Sequence, residues 1–155
     1  MSPRQLFRSV AIAEAVTWTL LIAAMILKYA VKAAVGDTAV SVAGGVHGFF
    51  FLAYALTVLI VGVNQRWRLP VLVLGAASAV IPYAAVAFEI WADRTGRLAG
   101  PWLREPTADR RDHTWYAKLL RWMLRHPVIL VASAVALLAV VMTVLLITGP
   151  PVSVG

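Results

Sequence analysis

An all-α membrane protein, with four transmembrane helices and one interfacial amphipathic helix, is the fold class this sequence predicts. Three observations predict it. Of the 155 residues, 61% are apolar and mean hydropathy is +0.83, whereas soluble domains hold about 45–50% apolar residues. Four apolar stretches reach the ~20 residues that cross ~30 Å of hydrocarbon at ~1.5 Å per residue. Between the third and the fourth, Thr114 to His126 sorts its bases and aromatics onto opposite sides of a helix. The chain divides accordingly into a three-helix unit (1–92), a basic loop with the amphipathic helix (93–127), and a fourth helix with a short tail (128–155).

The first span runs from about Ser9 to Ala30. Arg4 and Arg8 precede it as they would in a signal peptide, but the run is long for an h-region and carries Glu14, which predicts a retained span. The second, Ala39 to Val63, contains no acid, Lys or Arg. Its Gly44-Gly45-Val46-His47-Gly48 sets a Gly-xxx-Gly spacing that allows close helix approach around a histidine. Asn64 to Pro70 is a polar turn, with Pro70 suited to the first turn of the next helix.

The third span runs to about Trp91, with Gly75 and Ala79 as packing positions. Pro82 predicts a kink, and Ser78 stands four residues earlier to absorb a freed carbonyl. The stretch from Asp93 to Pro127 has eight bases and four acids. Gly96, Gly100, Pro101 and Pro106 make its first half a surface loop. In its second half, Lys118, Arg121 and Arg125 fall within one sector, with Trp115 and Trp122 opposite. Such a helix lies in the headgroup region with bases snorkelling outward, or docks on a partner protein. The fourth span, Val128 to Thr148, has no charge, carries Ala132 and Ala136 on a small-residue stripe, and stops at Gly149-Pro150-Pro151.

The chain has 14 bases, 7 acids and no cysteine. Lacking cysteine, it has no disulfide, thiolate metal site or Cys nucleophile. Because the bases flank apolar spans, the excess points to anionic headgroups and not to nucleic acid. With four spans, the N-terminus and the Asn64 turn share a side holding four bases, against ten on the other. The positive-inside rule then predicts a cytoplasmic 93–127 loop with both termini outside.

Ionisable groups inside spans are costly and tend to pair. Up-and-down threading predicts two clusters, Glu14 with Arg66 or Arg68, and Lys28 with His47 and Glu89. Read structurally, these are interhelical ties. Read functionally, the second cluster could hold a lipid headgroup or small ligand, while a proton or ion path would need polar groups through the apolar midplane. His47 has no second histidine within a span, so neither metal nor haem is expected. No triad order, phosphate-cradling glycine loop or metalloprotease motif occurs. The expectation is a protein with no enzymatic activity, cofactor or metal.

Phe7-Arg8, Glu14, Met25 with Leu27-Lys28-Tyr29, His47-Gly48, Ser78 and Pro82 together resemble a family of small bacterial integral membrane proteins, a domain of unknown function. The resemblance covers residues 7–92. Ala15 stands where the family pattern has glycine, and Ile26 where it has proline. The likeness implies a three-span core in a bacterial inner membrane, with Glu14, Lys28 and His47 in a shared polar framework, and it implies no activity. The expected function is that of an accessory or structural subunit packing against itself or a larger membrane assembly, respiratory or transport. The alternative is a small transporter or ligand-binding protein using Lys28, His47 and Glu89.

Overall fold

The structure is a computed structural model that describes residues 1–148, the side chain of Leu146 apart. The expected Gly149-Pro150-Pro151 stop lies outside the described residues. Helix α1 (Pro3–Met25) opens with a reciprocal cap: Gln5 N–H donates to Ser2 Oγ, and Ser2 N–H donates to the Gln5 side chain at 2.8 Å. That cap starts the helix six residues before the apolar run, with Pro3 in the first turn. A π-helical turn, Ile26–Ala30, ends it. Helix α2 (Gly36–Asn64) starts where its backbone passes Lys28 so closely that a Cβ on Gly36 would stand 2.6 Å from the Lys28 Cα. Only glycine admits that approach.

The third apolar segment is not one continuous helix. Helix α3 (Leu69–Ala77) gives way to a 3-10 turn, Ser78–Val80, and α4 (Ala84–Arg94) then runs back beside it. Nine and eleven residues span only ~14 and ~17 Å. Pro82 explains the break: it withholds a donor and drives Ile81 into the extended region (φ −104, ψ 126). Tyr83 follows with a left-handed φ of 67. The result is a reversal, where the sequence predicted a kinked span.

Contacts along the hairpin establish its direction. At its base, the Arg4 guanidinium meets Asp93 at 2.5 Å. Midway, a Cβ on Gly75 would stand 2.9 Å from the Phe88 ring. At the apex, the Trp18 indole donates to the Ala79 carbonyl at 3.3 Å, and Tyr83 and Thr19 share hydroxyls at 3.3 Å. Ser78 donates to the Gly75 carbonyl, so the Tyr54 hydroxyl donates to Ser78 at 2.9 Å.

Helices α5 (Trp115–Arg125) and α6 (Pro127–Thr148) complete the described chain. Among the described residues, three helical segments are long and apolar enough to cross a membrane: Pro3–Ala30, Gly36–Asn64 and Pro127–Leu145. The core gathers Phe7, Tyr54, Trp67 and Phe88, with Phe7 packed edge-on against Tyr54 and Trp67 at 5.6 and 5.7 Å. Helix α6 rests against α2 and α5. A Cβ on Gly48 would meet the Met142 side chain at 3.5 Å, which sets α6 antiparallel to α2. Because the hairpin reverses, the N-terminus, the Asn64 turn and the 93–127 stretch share one end. The expected placement of the N-terminus opposite the loop is thereby corrected.

Candidate functional site

At the loop-bearing end, the turn after α2 holds the 97–112 loop residue by residue. The Asn64 side chain donates to the Pro101 carbonyl and accepts from Leu103 N–H at 2.8 Å. Gln65 donates to the Gly100 carbonyl and the Trp67 indole to that of Arg97. Arg66 grips Asp112 bidentately at 2.7 and 2.8 Å, and Thr107 adds its N–H and hydroxyl to the same carboxylate. The Arg66 bonds, with those from Thr107, hold Asp112 far below the usual carboxylate range, and the same ion pair raises Arg66. Arg111 donates to Asp109 and to the Arg66 carbonyl; its hydrogen bonds lower Asp109.

Arg66 therefore pairs with Asp112 and, at 3.9 Å, with Asp109, and not with Glu14 as the sequence predicted. Arg68 is exposed, with no ion pair among the described residues. Arg121, expected to reach outward to headgroups, is buried and donates to the Asp112 carbonyl. It shares the inward face of α5 with Ala117 and Leu124. The sequence marks Asp112 only as one of four acids in a basic loop, which is why its central place went unpredicted.

Inside the bundle the second predicted cluster does not assemble. Lys28 pairs with Asp37 at 2.9 Å at the far end. His47 lies eleven residues into α2 from Gly36, about 16 Å deeper. Glu89 is one helical turn before Asp93, so the hairpin carries it to the loop-bearing end, away from Lys28. His47 instead lies 3.1 Å from Thr17 Oγ1 and against the Trp18 ring. Since the Thr17 hydroxyl donates to the Glu14 carbonyl at 2.8 Å, His47 serves as the donor through Nδ1.

Glu14 occupies the inward stripe Phe7, Ala11, Glu14, Thr17 of α1 and is fully buried. Neither carboxyl oxygen has a hydrogen-bond partner among the described residues. Trp18, one turn away, gives its indole N–H to Ala79. Glu89 is also buried. Among the described residues no group of three His, Asp or Glu side chains is placed to hold a metal ion.

The packing positions divide. Ala79 and Gly75 lie in the hairpin core, Gly48 meets α6, and Gly44 touches only the tip of Leu21. Ala132 and Ala136 are exposed, so the stripe predicted on α6 has no partner among the described residues. Trp115, Lys118, Trp122 and Arg125 are exposed on α5.

A family model described as a domain of unknown function, DUF3817, matches residues 4–94. A Streptomyces coelicolor protein, named for a membrane location and for nothing further, is 39% identical over 104 residues. The match takes in 66% of this chain and 12% of that much longer relative. No solved structure matches.

Proposed function

The chain belongs to the DUF3817 family, and since membership in a domain of unknown function carries no activity, we propose from the geometry that it is a non-enzymatic membrane module. In this reading it serves as an accessory or structural subunit, packing through α6 against a second copy or a larger membrane assembly. One observation carries this. Helix α6 is uncharged over 22 residues, most of its side chains are exposed, and Ala132 and Ala136 turn outward. Helices in lipid associate by close packing of such small residues. Of the polar groups within the bundle, His47, Thr17, Trp18 and Tyr54 are taken up by ties within the chain. That the longer relative contains a related stretch as a small part of its length supports a unit built to sit beside other elements.

The membrane reading extends to orientation. The loop-bearing end holds twelve bases against two, Lys28 and Lys32, at the other. The positive-inside rule then favours a cytoplasmic 93–127 stretch at a bacterial inner membrane, with α3 and α4 dipping in from that face and α5 along the headgroups.

Because the chain has no cysteine, single thiols report cleanly. Ala132→Cys and Ala136→Cys should cross-link in native membranes to a second copy or to one recurrent membrane partner. Leu20→Cys, exposed on α1, should not. Equal cross-linking at all three positions, or none anywhere, would reject α6 as the docking face.

A further inference from the structure

We propose that the groove between α2 and α6 seats one acyl chain of an anionic phospholipid, its phosphate held by Arg104 and Arg125. The groove encloses about 400 Å³. Leu56 and Ile60 of α2 form one wall, and Leu130, Ala134 and Leu138 of α6 the other. The one wall hydroxyl, that of Thr57, is already given to the Ala53 carbonyl at 2.8 Å. An anionic or other accepting group would therefore find no free donor along these walls.

Depth chooses the occupant. Pro127 to Leu138 is eleven residues, about 16 Å, close to half of a ~30 Å hydrocarbon core and so the depth of one leaflet. An extended alkyl chain matches that depth.

Charge at the mouth fixes the headgroup. Arg104 lines the groove where it meets the loop. Arg125, outside the groove lining, donates through Nε to the Arg104 backbone carbonyl at 2.9 Å, bringing a second guanidinium to the chain at the mouth. Neither has an ion pair among the described residues; of the four acids in 93–127, Asp93, Asp109 and Asp112 are engaged by Arg4, Arg111 and Arg66, and exposed Glu105 next to Arg104 leaves the pair of bases in excess by one. Two guanidiniums above an apolar slot of one-leaflet depth are complementary to a phosphodiester carrying a fatty chain.

The test uses the full chain reconstituted with phosphatidylglycerol and phosphatidylcholine of identical acyl chains, read by native mass spectrometry for retained lipid. Wild type should keep one phosphatidylglycerol in preference to phosphatidylcholine. Arg104→Gln with Arg125→Gln should lower that retention about thirtyfold, from roughly 1 kcal/mol per base, whereas Arg68→Gln on the same face should not. Ala134→Trp, filling the slot, should abolish retention of both lipids. Val131→Trp, where the native side chain is 62% exposed, serves if that variant does not fold. Equal retention of the two lipids, or undiminished phosphatidylglycerol in a folded Trp variant, would overturn the proposal.

Discussion

Asp112 is the residue on which the loop-bearing end turns. Its carboxylate is almost wholly buried and collects Arg66, the Thr107 N–H and the Thr107 hydroxyl, while its own carbonyl takes Arg121. Asp112→Asn removes the charge and leaves Arg66 half-satisfied, and should cost about 2 kcal/mol, the scale of a hydrogen bond to a charged group. Amide exchange over 97–114 should rise in that variant; unchanged protection would refute the assignment. Acid should act likewise. The folded chain keeps Asp112 ionised far below where an unfolded aspartate protonates, so its stabilisation is complete above the ordinary aspartate range and drains away as pH falls through and below it. Loop protection should therefore decline below about pH 4, before the apolar helices respond. Glu14 presents the opposite case, a fully buried carboxyl among apolar neighbours with no internal partner. Of the two cations the sequence set against it, Arg66 is engaged by Asp112 and Arg68 is exposed.

At the scale of elements, the α3–α4 hairpin departs most from what periodicity suggests. A run of apolar residues looks the same whether it crosses or turns back, and its length favoured crossing. What decides is local: Pro82 and the extended Ile81 interrupt the helix, Tyr83 reverses it, and Gly75 lets the returning Phe88 ring sit against the outgoing backbone. Gly75→Leu should force Phe88 and Val58 apart at about 1–3 kcal/mol. Exchange should accelerate across 69–94 while α1 and α2 stay protected. If the whole bundle loosened together, the hairpin would not be a separable element. Helix α5 was legible as a helix, but the expected opposition of bases and aromatics was not: Trp115 and Trp122 are exposed on the same face as Lys118 and Arg125, and Arg121 turns inward with Ala117 and Leu124. The sector of Arg121 borders both faces, and only the position of Asp112 pulls that side chain inward.

For the whole molecule, the hairpin changes the topology by one crossing and gathers the bases at one end. Ala108→Cys and Thr38→Cys, both exposed, should react with an impermeant maleimide from opposite sides of the membrane, Ala108→Cys from the cytoplasmic one. Labelling of both from the same side would mean that α2 does not span. Membership of the membrane class was determined by the sequence itself, because composition and run length are summed properties that no folding detail alters. The same holds, to within three residues, for the bounds of α2 and for the start of α6. Which charges meet, and whether the third segment crosses, were decided only in three dimensions. Pairing depends on depth along each helix, and one reversal at Pro82 moves Glu89 and the whole basic loop to the other end.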